Sequence, residues 1–343
     1  MRAMILEDIA PITPDSTPLR MVDLPDPEPG PGQVLIRVHT CGVCHTELDE
    51  IEGRTPPPRL PVVLGHQVVG EVVALGKGVA EPAPGTRVGV GWIASACGAC
   101  DRCRAGLDNL CERFQATGRD IDGGYAELMV IDARYAHPLP AGLDDVRTAP
   151  LLCAGAIGWR SLRLCDLENG RRLGLTGFGG SGHLVLQLAR HLYPDSEVFV
   201  FARSEKTRRF ARKLGADWAG DTGEAPPAQC DAIIDTTPAW VPVLRALERL
   251  APGGRLVINA IRKEDGDRDV LLELDYVTHL WHEREIKSVA NVAGRDIREF
   301  LDLAVAAKLQ PETEVYDLAE ANRALIELRA GGVRGAKVLR IRS

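Results

Sequence analysis

Four cysteines, Cys97, Cys100, Cys103 and Cys111, stand within one short polar, loop-like stretch, and four thiolates so spaced form a closed tetrahedral site for zinc. A soft donor set without histidine suits a structural ion, because no coordination position is left for a substrate. An iron–sulfur cluster is the competing occupant of such a set. The chain has nine cysteines in all, and an odd number fits metal ligation or catalysis better than a disulfide framework.

The second stretch with chemical reach is Arg172-Leu173-Gly174-Leu175-Thr176-Gly177-Phe178-Gly179-Gly180-Ser181-Gly182-His183. Leu173 and Leu175 suit a buried parallel strand, and Leu184, Val185, Leu188 and Leu192 then recur at helical spacing. Between strand and helix, Gly177, Gly179 and Gly182 spell GxGxxG. Such glycines tighten the turn, let the backbone approach a pyrophosphate and let the helix pack close to the strand. Free N–H groups at the helix start, across Gly180, Ser181 and Gly182, would face the phosphates.

Further candidates are scattered. Cys41-Gly42-Val43-Cys44-His45-Thr46-Glu47, Gly65-His66-Gln67-Val68-Val69-Gly70, the Cys97–Cys111 cluster, Leu151-Leu152-Cys153-Ala154-Gly155 and the glycine turn together resemble the zinc-dependent medium-chain alcohol dehydrogenases over nearly the whole chain. The resemblance implies a catalytic zinc held by Cys44, His66 and Cys153, hence two zinc ions per chain. Two thiolates and one imidazole leave a fourth position where zinc would acidify an alcohol or polarise a carbonyl. Sequence spacing does not bring these three residues together. Cys41, which forms CxxC with Cys44, is the rival ligand, and the resemblance leaves it as a small buried residue.

The same resemblance makes Thr46 the hydroxyl that takes the alcohol proton and passes it on through the cofactor ribose, since a hydroxyl both donates and accepts. The ordinary alternative is a threonine capping a helix that begins near Glu47. His45 matches a basic position near the pyrophosphate, and Glu47 an acid that orients the histidine ligand. Two positions depart from the family pattern. Gln67 stands where a glutamate commonly follows the ligand histidine, and Asp49 where a relay histidine is common. Proton release would then pass to Asp49, Glu50 or water.

NAD-binding folds usually end their second strand in an acid that bonds the ribose hydroxyls. Here Val198-Phe199-Val200-Phe201 runs into Ala202-Arg203-Ser204, with Lys206 close behind. An arginine and a serine suit a 2′-phosphate, and the segment is similar to NADP-linked members acting on cinnamyl and other aldehydes. NADP is therefore favoured over NAD, against the plain alternative of a solvated Arg203. Trp92, with Phe114 and Trp159 as weaker candidates, is expected to line an apolar pocket for primary alcohols and aldehydes, aromatic or medium-chain aliphatic, against the plain alternative of aromatics that simply fill the core.

These groups need elements to hold them. Residues 1 to about 150 carry short β-branched runs such as Val34-Leu35-Ile36-Arg37-Val38, which predict an antiparallel, barrel-like β domain. After Cys153 strands alternate with helices, with strands expected at Arg172–Phe178, Glu197–Phe201, Asp231–Asp235 and Arg255–Ala260 and helices at Glu205–Leu214 and Val241–Leu250. That is an α/β pattern giving a doubly wound parallel sheet. A helix over Asp296–Lys308 and a strand over Ala336–Ile341 lead back to the first domain. The expected organisation is a β-rich, GroES-like catalytic domain over 1–154 and 293–343, an inserted dinucleotide-binding domain over 155–292, and a structural zinc lobe over 95–113.

With 41 basic and 48 acidic residues the formal charge is −7, which offers no general attraction to nucleic acid or an anionic membrane. Within the zinc lobe, Arg102, Arg104 and Arg113 are offset by Asp101, Asp108 and Glu112, which argues against a nucleic-acid module. Acids at Glu7 and Asp8 interrupt any signal-peptide core, and a cytoplasmic location is expected. The partner is a small-molecule alcohol or aldehyde, and members of this length are commonly homodimers or homotetramers. A catalytically silent nucleotide sensor is the rival reading, and it would tolerate loss of a ligand that this chain keeps.

Overall fold

A computed structural model describes residues 1–331 and 335–341. The chain divides into two compact units, one comprising Met1–Cys153, Val292–Val305 and Gln310–Ser343, the other Ala154–Asn291 and Ala306–Leu309.

The first unit begins with β1 (Arg2–Leu6), β2 (Leu19–Asp23), β3 (Gln33–Val43), α1 (His45–Ile51), β4 (Val62–Val63), β5 (Val68–Leu75), β6 (Arg87–Val90) and β7 (Ile93–Ser95). It continues through α2 (Asp101–Arg104), β8 (Gln115–Ala116), β9 (Leu128–Asp132), β10 (His137–Pro138) and α3 (Asp145–Pro150). The second unit supplies α4 (Ala156–Cys165), β11 (Leu173–Thr176), α5 (Gly182–Leu192), β12 (Val198–Phe201), α6 (Glu205–Lys213), β13 (Trp218–Gly220), β14 (Cys230–Asp235), α7 (Val241–Arg249), β15 (Leu250–Ile258) and β16 (Glu285–Ser288). After it come α8 (Gly294–Ala306), β17 (Thr313–Asp317), α9 (Ala321–Ala330) and β18 (Ala336–Arg340).

In the first unit β3 is the spine. Val34, Ile36 and Val38 alternate with less buried residues, as a strand with one face on the core requires. It pairs antiparallel with β5, β9 and β18, within a sheet ordered β10-β6-β5-β3-β18-β17. Each fully buried Val or Ile contributes about 1.5–3 kcal/mol of apolar transfer. Toward its end the alternation stops: Cys41, Gly42 and Val43 are all buried, which delivers Cys44 into the interior.

In the second unit every ladder of the six-stranded sheet is parallel, in the order β13-β12-β11-β14-β15-β16. The strand Val198-Phe199-Val200-Phe201 is wholly buried, the continuous apolar run expected of a strand covered on both faces. Strand order reverses between β11 and β14, and the carboxyl ends there are where doubly wound sheets bind nucleotides.

Several element ends differ from expectation. β11 stops at Thr176 because Gly177 turns to φ +80, outside the strand region. α7 ends at Arg249, and β15 begins at once with Leu250 rather than Arg255. α8 closes at Ala306, two residues before Lys308 adopts φ +51. Among the described residues no helix is long and apolar enough to cross a membrane.

Candidate functional site

At the end of β3, Cys44 takes φ −130 and ψ 165 and becomes the N-cap of α1. Its N–H donates to Oε2 of Glu47 at 2.8 Å, while Oε1 of the same carboxylate accepts from Nδ1 of His66 at 2.6 Å. One buried carboxylate thus ties the two together, with Glu47 0% and His66 1% exposed. With the proton on Nδ1, the Nε2 lone pair is left for a metal.

His66 is placed by Gly65, whose φ of +96 only glycine adopts freely; a β-carbon there would lie 2.3 Å from the Tyr125 ring and 2.9 Å from the Cys41 sulfur. Cys153 lies in the π-helical turn Leu151–Gly155 that follows Pro150 at the end of α3. Such turns interrupt the regular helical ladder and recur at functional sites.

The sulfurs of Cys44 and Cys153 and a ring nitrogen of His66 come within 4.8 Å of one another. A hydrogen bond from the Cys153 thiol holds the Cys44 thiol well below its ordinary range, and the same bond pushes Cys153 up. Two soft sulfurs, one of them ready to be a thiolate, and an imidazole of fixed tautomer fit a three-ligand zinc site with one open position. Cys41 is outside this set: fully buried against Gly65 and Gly124, its thiol is pushed well up by burial.

Thr46 is buried in the first turn of α1, its hydroxyl 3.6 Å from the Cys44 sulfur. The helix begins at His45 with Cys44 as the cap, so Thr46 does not cap it; the expected capping alternative is overturned. His45 is exposed, and Gln67 is buried with its side chain over the backbone of Gly42. Asp49 is buried and its Oδ1 accepts from Nε of Arg54 at 2.5 Å. Glu50, which sequence reasoning named only as one of several proton acceptors, is 1% exposed, and among the described residues neither of its carboxylate oxygens has a hydrogen-bond partner. No periodicity marks such a residue; its charged neighbours become visible only when the helix is packed.

The four-cysteine lobe is built locally. The sulfurs of Cys97, Cys100, Cys103 and Cys111 lie within 4.8 Å of one another. The amides of Ala99 and Cys100 donate to the Cys97 sulfur at 3.4 and 3.3 Å, and that of Cys103 to the Cys100 sulfur at 3.5 Å. The amide of Ala99 first, then that of Cys100, pulls the Cys97 thiol down to about 5. Nearby, the rings of Trp92 and Phe114 are half-buried, 5.4 Å apart, and the Arg119 guanidinium sits 5.5 Å over the Trp92 ring. Trp159 belongs to α4 of the other unit, with Arg163 over its ring.

In the second unit, a β-carbon at Gly177 would meet the Thr236 hydroxyl at 2.7 Å, and one at Gly182 the Gly177 carbonyl at 3.0 Å, whereas Gly179 and Gly180 border open space. Ser181 Oγ donates to the Ala154 carbonyl at 3.0 Å. At the end of β12, Ala202 is buried and Arg203, Ser204 and Lys206 are exposed. The Ser204 hydroxyl accepts from the Thr207 amide at 3.1 Å and so caps α6.

The sequence matches the family profile described as "Alcohol dehydrogenase GroES-like domain" over residues 30–141, and that described as "Zinc-binding dehydrogenase" over residues 180–306. It is 44% identical to "Probable alcohol dehydrogenase AdhA" of Mycobacterium tuberculosis across 95% of this chain and 94% of that protein. The chain belongs to the zinc-type medium-chain alcohol dehydrogenases. Its chemistry is accordingly that of an alcohol dehydrogenase acting on small molecules, with zinc and a nicotinamide cofactor.

Solved structures of the family superpose over its full length. A cinnamyl alcohol dehydrogenase of Sorghum bicolor aligns with TM-score 0.85 and 27% identity, over 99% of this chain and 97% of that one. A thermostable alcohol dehydrogenase of Pyrobaculum aerophilum, solved with cobalt and zinc bound, aligns with TM-score 0.84 and 26% identity over 99% of both chains.

Proposed function

We propose that this dehydrogenase oxidises primary alcohols and reduces aldehydes, aromatic or medium-chain aliphatic, with two zinc ions per chain and with NADP favoured over NAD. The observation that carries the reading is the convergence of Cys44, His66 and Cys153, with Glu47 clamping both the cap of α1 and the histidine ring. A silent sensor would have no use for a complete three-ligand set with its tautomer fixed.

Zinc bound there supplies a Lewis acid for the substrate oxygen. The nicotinamide supplies the hydride acceptor or donor. Thr46, with its hydroxyl beside the Cys44 sulfur, takes the alcohol proton and hands it outward. Asp49 follows on the same face of α1, as the i+3 neighbour of Thr46, with its carboxylate held by the Arg54 guanidinium. Trp92 and Phe114, their rings 5.4 Å apart, would supply an apolar wall that suits aromatic and aliphatic chains better than polyols.

In the cofactor unit, the glycine turn between β11 and α5 would cradle the pyrophosphate. No carboxylate ends β12, where NAD-binding folds usually carry the acid that bonds the ribose hydroxyls. Because Ser204 is spent on capping α6, Arg203 and Lys206 carry most of the attraction for a 2′-phosphate.

Assembly as a homo-oligomer belongs to the same reading. β16 is an edge strand, exposed along its whole length, and the chain before it carries exposed Leu272, Tyr276, Val277 and Trp281. Pairing with a second copy about Ile286 sets Glu285 opposite Lys287, a self-complementary register. Light scattering then reads a dimer or tetramer, and a monomer at micromolar concentration contradicts it.

The test of the function is a screen of alcohols and aldehydes with NADPH and NADH. Expected are turnover of benzyl alcohol above sorbitol and a higher kcat/KM with NADPH than with NADH. Better turnover of sorbitol, or a clear preference for NADH, overturns the corresponding part.

A further inference from the structure

A carboxylate with both oxygens buried and unpartnered is costly unless a cation compensates it. Glu50 is such a group. It lies three residues after Glu47, on the same face of α1, the helix whose cap is Cys44 and whose Glu47 holds His66. The charged groups within its electrostatic reach are Glu47, His66, Cys44 and Arg119.

None of these serves as its partner. Glu47 and a Cys44 thiolate repel it. His66 is bonded to Glu47, and the Arg119 guanidinium is engaged with both oxygens of Asp120, at 3.1 and 2.9 Å. Burial and the Glu47 charge push the Glu50 carboxyl well above its ordinary range, the same imbalance expressed as proton affinity.

We propose that Glu50 is a second acidic positioning residue of the catalytic metal centre: its unpartnered carboxylate is matched by the dication that Cys44, His66 and Cys153 would hold, and it sets how tightly that ion is kept. The inference rests on the assignment of those three residues as the zinc ligands. By linkage, the free energy with which the ion stabilises the buried carboxylate is the free energy with which the carboxylate strengthens the site for the ion. Glu47 acts through a hydrogen bond to a ligand, whereas Glu50 acts through space, so the two carboxylates are separable by experiment.

The experiment uses the purified full chain and its Glu50→Gln and Glu50→Leu variants, with zinc counted by mass spectrometry and then removed in a graded chelator competition. The catalytic site is reloaded with cobalt(II) and its visible spectrum recorded. Expected is zinc affinity about 10-fold weaker at this site in Glu50→Gln, in the range of outer-shell carboxylates, weaker still or equally weak in Glu50→Leu, and shifted cobalt bands with the lobe zinc unaffected. Zinc affinity and cobalt bands equal to those of the unaltered chain overturn the proposal, whatever the variants do to thermal stability. Failure of the ligand assignment reads differently, because the unaltered chain itself then holds only one zinc.

Discussion

The two sulfur-rich sites of this molecule are opposites in construction. The Cys97–Cys111 lobe is closed within a few turns of chain, and its own amides donate to its sulfurs. The Cys44–His66–Cys153 centre is gathered from the end of a core strand, a glycine-strained loop and a π-helical turn, and Glu47 holds it together. Four thiolates leave a metal nothing to do except hold the fold. Two thiolates and an imidazole leave a vacancy for chemistry. With metal bound as proposed, the lobe would depend on it for shape, whereas the centre has its shape from the β domain and would need it for reactivity.

That contrast is broken most readily by ligand removal. Cys44→Ser or Cys153→Ser should lower kcat/KM by about 10³-fold or more, the loss of a Lewis acid worth several kcal/mol, with the melting temperature nearly unchanged by calorimetry. Cys103→Ser should instead lower the melting temperature by several degrees, activity falling only as the protein unfolds. Equal melting temperatures for the two classes of variant would erase the distinction.

Chelation is the next test. With a mild chelator, turnover should vanish when about one zinc per chain has left, and circular dichroism should change only when the second leaves. Loss of structure with the first zinc would reverse the assignment of roles.

A smaller effect is expected of the clamp. Glu47→Gln keeps a hydrogen bond to His66 but not the charge, and should weaken metal retention at the centre about 10- to 100-fold with no change in the lobe. Unchanged retention would mean that the tautomer is fixed by something else.

The smallest effect concerns the support of the lobe. Asp108 of the lobe accepts from Tyr135 Oη at 3.0 Å and from the Gly294 amide at 3.1 Å, and His137 lies against Gly294. Burial first, then the Arg298 charge, holds the His137 imidazole down at about 3. Its folded value is below the unfolded one of about 6.5, so the unfolded chain binds the extra proton. The stability at stake is whole above pH 6.5 and is lost as pH falls toward 3. His137→Gln should flatten this acid limb of melting temperature against pH; an unchanged slope would contradict it.

The clustering of the four lobe sulfurs was legible in the sequence because those cysteines are neighbours, and their spacing alone suits a tetrahedral set. The centre was legible only through family resemblance, since nothing local predicts that Cys153 meets Cys44. Thr46 as a helix cap was a fair reading of propensity, but the extended backbone of Cys44 and the reach of Glu47 to its amide start α1 earlier. The Asp49–Arg54 pair and the unpartnered Glu50 escaped because both acids look alike in sequence, and only packing separates the paired one from the orphan. In the cofactor unit, apolar runs marked the parallel strands, yet β15 starts at Leu250 because that residue pairs with Cys230 before the Pro252-Gly253-Gly254 segment is passed.

The most direct measurement is an anomalous difference map at the zinc edge from crystals of the zinc-loaded protein. Two peaks are predicted, one amid the four lobe sulfurs and one about 2.3 Å from the sulfurs of Cys44 and Cys153 and about 2.0–2.1 Å from Nε2 of His66. A single peak in the lobe, or a second peak bound by Cys41 instead of Cys153, would contradict the assignment.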